Sequence, residues 1–98
     1  MLTINLSLDN TELYKGCTVI MVAGRNNLET NPNEATNIIG INLQSIIINN
    51  KKNHDEVTLT GAMAVWAYLV VFHVVVHQFR KIWYDDGKGN KILIAAHG

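Results

Sequence analysis

The sequence is poor in cysteine, in charge and in long apolar runs. Cys17 is its only cysteine, which excludes an internal disulfide and any cysteine-rich metal site and suits a reducing, cytoplasmic setting. Only 16% of the 98 residues are charged, eight Lys plus Arg against eight Asp plus Glu, for a formal net charge of zero. A chain with no excess of either sign does not coat a polyanion by bulk charge, so DNA is not an expected partner and any anion site must be local. The opening MLTINLSLDN has no basic stretch leading into an apolar run, and no signal peptide is expected. Repeats and low-complexity segments are also missing, and the twelve asparagines are a compositional bias only.

Between Val57 and Val76 there is no Asp, Glu, Lys or Arg, which raises the question of a membrane span. However, Thr58, Thr60 and Gly61 interrupt that stretch, and the unbroken run from Ala62 to Phe72 falls short of the roughly 20 residues a bilayer requires. A helix buried in a small core is therefore expected, with no membrane partner. A length of 98 residues implies one domain over 1–98 with a thin core. Because 48% of the residues are hydrophobic, part of the surface is expected to serve an oligomer interface, a homodimer first.

Thr3 to Leu8 alternates apolar and polar residues and reads as a half-buried strand; Cys17 to Ala23 reads as its antiparallel hairpin partner. Asn31 stands in the N-cap position before Pro32, with Glu34 where a capping box places its acid. A short helix to about Ile39 follows, while Ile41 to Ile48 is open between helix and strand. Residues 49–55 read as a polar loop and Glu56 to Thr60 as a strand. Alanines at 62, 64 and 67 start a long helix of about 16 residues that ends near His77 or Gln78. Lys81 to Tyr84 and Lys91 to Ala96 complete a hairpin around the Asp85 to Asn90 turn. The predicted fold is α+β: a mixed, mostly antiparallel sheet of about five strands, one long and one short helix, and a single βαβ crossover.

Ligands of a βαβ unit gather beyond the carboxyl ends of its parallel strands, where Thr60 and Gly61 open the apolar helix and its free N–H groups favour an anion. A plain N-cap explains the same two residues. His73 and His77, one turn apart, can grip a metal ion or flank a phosphate, but a histidine on an apolar helix is more often a hydrogen-bonded core residue, and His73 fits that role. His77, at the polar helix end, is the better chemical candidate. Asp85 and Asp86 suit a divalent cation or assistance to His77, although Asp before Gly is turn chemistry first. Arg80, Lys81 and Lys88 can neutralise phosphate or simply be solvated. His97 follows the last strand, and Trp66, Trp83 and Tyr84 read as core or interface.

In order along the chain, Val57-x-Leu59-Thr60-Gly61 with Trp66, then His73 and His77, then Trp83-Tyr84-Asp85, a glycine turn, an apolar strand and His97 resemble the CRISPR-associated Csx-three family, the third CRISPR ring nucleases. The resemblance implies a ligand, cyclic tetra-adenylate, and an activity, its cleavage to short linear adenylates that switches type III CRISPR defence off. It further implies manganese as the metal, and dimers that hold the ring between two of them. By position it makes His77 and Asp85 catalytic and assigns Thr60, Gly61, His73 and His97 to ligand binding, with Lys88 as a point-charge substitute for one family arginine that this chain lacks. The chain departs from the family pattern at Ala62-Met63-Ala64, where Arg-Gly-Pro is usual, and at Asp86-Gly87, where Pro-Arg is usual. A non-catalytic homologue that sequesters the ring nucleotide, or a small structural module, is the alternative.

Overall fold

The computed structural model describes residues 1–50 and 55–97. In chain order it has β1 (Leu2–Asn5), β2 (Val19–Val22), β3 (Arg25–Leu28), α1 (Pro32–Asn50), β4 (Glu56–Thr60), α2 (Val65–Val75), β5 (Lys81–Asp85) and β6 (Lys91–Ala96). The fold is α+β, with a mixed four-stranded sheet in the order β1-β4-β5-β6 and a separate two-stranded sheet, β2-β3.

Strand pairing differs from the sequence expectation. β1 pairs with β4 and β4 with β5, both parallel, and only β5 and β6 are antiparallel, so the main sheet is mostly parallel. It therefore contains two parallel crossovers, one through α1 and one through α2. The second predicted strand does not join the first: β2 turns back on β3 through Ala23 and Gly24, both with positive φ. Two successive positive φ values suit a two-residue hairpin turn that follows strand twist, which is why the polar Arg25-Asn26-Asn27 is strand rather than loop.

The helix lengths are also reversed. α1 runs 19 residues, straight through the ambiguous isoleucine segment. Its buried positions, Ala35, Ile39, Leu43, Ile46 and Ile47, recur at three- and four-residue steps, and burial of that stripe outweighs the β-branched preference for strand. The N-cap is as expected, with the Glu34 N–H donating to Asn31 Oδ1 at 3.0 Å. α2 is shorter than expected, 11 residues, and begins only at Val65, preceded by Ala64 without a side-chain cap. Thr60 and Gly61 therefore end β4 and do not cap α2. Of the predicted 49–55 loop, Asn49 and Asn50 are helical, and residues 51–54 lie outside the described residues.

The two helices pack against one another and bury Ile39, Leu43, Ile47, Ala67, Val71 and Val75 in the core with Leu2, Ile4, Val57, Leu59 and Ile82 of the sheet. Strand alternation sets the opposite face. There the Trp83 Nε1–H donates to Glu56 Oε1 at 2.9 Å, and the Lys91 ammonium sits 5.3 Å from the Trp83 ring centre. No helix among the described residues is long and apolar enough to cross a membrane.

Gly40 lies within α1 with nothing inside 4 Å of where a Cβ would stand. Gly40→Ala is therefore expected to stabilise the chain by about 0.5–1 kcal/mol, since alanine loses less backbone entropy in a helix. A rise in the urea midpoint checks it, and a fall would show that the space around Gly40 is not open.

Candidate functional site

The carboxyl ends of β4 and β5 meet at Thr60 and Asp85, which are register partners. The Thr60 hydroxyl donates to the Asp85 carbonyl at 3.0 Å, and the Leu6 N–H donates to the Thr60 carbonyl at 2.7 Å. Gly61 then turns the chain with φ +103°, against the backbone of Leu6 and Ser7. Its carbonyl accepts the Tyr68 hydroxyl at 2.5 Å, and Tyr68 stands edge-on to Tyr84 with ring centres 5.5 Å apart. A cleft of about 390 Å³ opens here, between Gly61 and Ala62 on one side and Tyr84, Asp85, Asp86 and Gly87 on the other.

The carboxylates of this cleft are engaged in the β5-β6 turn. Asp85 Oδ1 accepts the Gly87 N–H at 2.8 Å. Asp86 Oδ1 accepts the N–H groups of Lys88 and Asn90 at 2.7 and 3.2 Å, and its Oδ2 accepts the Asn90 side-chain amide at 2.9 Å. The Asn90 side-chain bond, followed by the Lys88 N–H, holds the Asp86 carboxyl below the usual carboxylate range. Lys88 is exposed at the turn itself. No three His, Cys, Asp or Glu side chains gather as a metal-binding group among the described residues. Among the described residues, the carboxylates of this cleft, Asp85 and Asp86, accept hydrogen bonds within the turn.

The histidines lie elsewhere. In each βαβ unit the helix runs back against its strands, so α2 starts near the carboxyl edge and ends near the amino edge, where Phe79 and Arg80 lead into β5. His77 follows the end of α2, while Asp85 ends β5, four residues and about 13 Å of strand beyond Lys81. Within one chain they occupy opposite edges, against the expectation that they act side by side. His97 also lies at the amino edge, its N–H donating to the Arg80 carbonyl at 2.7 Å. Arg80 pairs there with Asp55 at 3.4 Å and approaches Glu56 at 4.0 Å.

His73 is exposed and is not the core residue expected of it; the buried stripe of α2 is Ala67, Val71 and Val75. Its ring is 5.8 Å from that of His77, near perpendicular, and it borders a groove of about 620 Å³ between α1 and α2. The seven predicted site residues thus fall into two groups, Thr60, Gly61, Asp85 and Lys88 at the carboxyl edge and His73, His77 and His97 toward the other. Tyr68 went unmarked in the sequence, although a helical residue seven positions after Gly61 can reach back to the turn. Burial pushes the Cys17 thiol up, the wrong direction for a nucleophile.

No protein-family model, no curated protein and no solved structure matches this chain.

Proposed function

We propose that this protein binds cyclic tetra-adenylate at the carboxyl-edge cleft and opens the ring to linear adenylates with the help of a second copy. One observation carries the reading. Thr60-Gly61 and Asp85, 25 residues apart in sequence and matched to the Csx-three pattern independently, are joined by the Thr60 hydroxyl at the mouth of one cleft. Gly61 lines that mouth while packing closely on Asn5, Leu6 and Ser7, and Tyr84 lines it with an aromatic ring suited to a base.

Ring opening needs a ribose 2′-hydroxyl to attack the adjacent phosphorus in line. The bond to the 5′-oxygen breaks, leaving a 2′,3′-cyclic phosphate and a 5′-hydroxyl. A base removes the 2′ proton and an acid returns one to the departing 5′-oxygen. His77 takes the acid–base role, and Asp85 orients the ligand from the other edge. Because one chain separates them, the reading requires His77 of one copy to meet a ring held at the cleft of another, in a homodimer or a pair of dimers. No step passes through a metal, and manganese is a variable of the assay.

The test follows labelled cyclic tetra-adenylate with and without Mn²⁺, reading binding and products together. Wild type is expected to release linear adenylates, and His77→Ala to bind normally while losing about 10²–10⁴-fold in rate, the usual share of general acid–base catalysis. The departure from two family arginines and the separation of His77 from Asp85 favour a second reading, in which the ring is bound and sequestered without reaction. Binding with no product in wild type selects that reading. Absence of binding sinks both.

A further inference from the structure

We infer that His73 and His77 form a two-histidine chelate for a borderline divalent transition-metal ion such as zinc, at the end of α2 and apart from the carboxyl-edge cleft. The two residues stand four positions apart, His73 in the last turn of α2 and His77 just beyond it. The helical path carries on past Val75: the Val76 N–H donates to the Phe72 carbonyl at 2.9 Å and the Phe79 N–H to the Val75 carbonyl at 3.1 Å. His77 therefore stays on the face that carries His73, one turn on. Both side chains are exposed.

Their spacing suits one ion. The ring centres are 5.8 Å apart, with the planes at 70°. A zinc ion lies about 2.0–2.1 Å from an imidazole nitrogen, hence about 3.2 Å from the ring centre, so one ion can join rings whose centres are up to ~6.4 Å apart. The observed separation is inside that limit before any adjustment. The rings are not stacked, and each turns about a broad terminal torsion, so one in-plane lone pair of each can converge on a single point.

The surroundings favour a cation there. The Gln78 side-chain amide donates to Gln44 Oε1 at 3.2 Å and to the Val74 carbonyl at 3.3 Å, which ties the turn bearing His77 to α1. Binding then has two ring torsions to fix, with no loop to order. The carbonyl end of α2 attracts positive charge. Arg80, the first cation after His77 along the chain, is drawn off to Asp55 at 3.4 Å and Glu56 at 4.0 Å.

The donor set chooses the ion. Among the described residues no third His, Cys, Asp or Glu completes a metal-binding group, so the remaining positions fall to water or an added donor. A pair of imidazoles suits zinc, nickel and copper, and manganese stands lowest in the order of affinities for such a site. The ion is thus a different one from the manganese that the Csx-three resemblance implies. One consequence rests on the ring-nuclease reading: an ion that takes the lone pair of His77 leaves it unable to accept the 2′ proton, so zinc should inhibit ring opening.

The experiment is run without nucleotide, so that its failure and that of the ring-nuclease reading are distinguishable. Zinc is titrated into the full chain and followed by calorimetry, with the imidazole proton signals read in parallel by nuclear magnetic resonance. One ion per chain is expected, with the His73 and His77 signals shifting together. His97, exposed and away from the pair, should stay unmoved at the same zinc concentration. His73→Ala and His77→Ala are each expected to weaken zinc binding at least about tenfold, because losing a ligand costs no less than losing its outer-shell partner, about 10–100-fold. Mn²⁺ in place of zinc should bind at least about tenfold more weakly than zinc. Where an alanine variant loses helicity by circular dichroism, glutamine at the same position decides, since it keeps a long side chain and removes the imidazole. No binding at near-millimolar zinc, binding that survives in a folded His73→Ala, His97 signals that move in step with the pair, or Mn²⁺ that matches zinc overturns the inference.

Discussion

Gly61→Ala is expected to destabilise the protein by about 2–5 kcal/mol, combining left-handed backbone strain with overpacking. At φ +103° an L-residue is strained whatever the space, and here there is none. A Cβ would stand 2.1 Å from Asn5 Oδ1, 2.8 Å from the Ser7 nitrogen and 3.0 Å from the Leu6 nitrogen. Asn5 cannot simply swing away, because its Oδ1 accepts the Ser7 N–H at 2.9 Å and its carbonyl accepts the Asn10 side chain at 2.7 Å. The Leu6 and Ser7 backbone cannot recede without losing the Leu6 bond to Thr60. A small domain has only about 5–15 kcal/mol in total, so the loss is a large share of it. Gly24→Ala separates the two contributions: its φ is +78° with nothing within 4 Å, so it should cost the backbone strain alone, about 1–2 kcal/mol. Urea midpoints of both variants read the difference. Equal losses would mean that the close approach of β1 to the Gly61 turn is not as described.

That close approach shows why the sequence was legible in some places and opaque in others. β4, β5 and β6 stand almost where the periodicity puts them, because apolar segments bounded by glycine and aspartate leave few alternatives. Sequence order alone pairs β1 with β2, because neighbouring strands often pair. The two-residue Ala23-Gly24 turn instead spends β2 on β3, and β1 is left to pair with β4 beyond α1. The length of α1 was hidden by isoleucines whose strand preference is overruled by a buried stripe visible only once the sheet beneath it is known. At the candidate site, Thr60, Gly61 and Asp85 came together because ligand sites favour the carboxyl edge of parallel strands. His77 did not join them for a reason contained in that rule. A crossover helix must return to the amino edge, so a residue at its end cannot share the edge with a residue at the end of the next strand.

Between pH 10 and 12 the protein is expected to lose stability steeply, through Tyr14 and Tyr68. Both hydroxyls tie down the segment that holds the site. Tyr14, 3% exposed, donates to the Leu6 carbonyl, and Tyr68 donates to the Gly61 carbonyl at 2.5 Å. Burial is the main cause that drives the Tyr14 phenol well above its ordinary range, with smaller contributions from Cys17 and from Tyr68. Burial first, then Tyr84 and Asp85, pushes Tyr68 up to about 12. The unfolded chain gives up these protons near pH 10 while the folded chain keeps them, so above that point the unfolded state binds fewer protons and stability falls with pH. The stabilisation is complete below about pH 10 and is lost as pH rises toward the folded values. Each tyrosine contributes at most about 1.4 kcal/mol per pH unit, and the partly exposed Tyr68 less, so Tyr14 alone accounts for roughly 2–3 kcal/mol by pH 12. Urea midpoints taken at stepped pH, with tyrosinate absorbance followed in parallel, should show unfolding and ionisation advancing together. Tyr14→Phe should lower stability at neutral pH, since the Leu6 carbonyl loses its donor, and at the same time flatten the alkaline limb. A wild-type curve that stays level from pH 10 to 12 would place both hydroxyls in water, away from the Leu6 and Gly61 carbonyls.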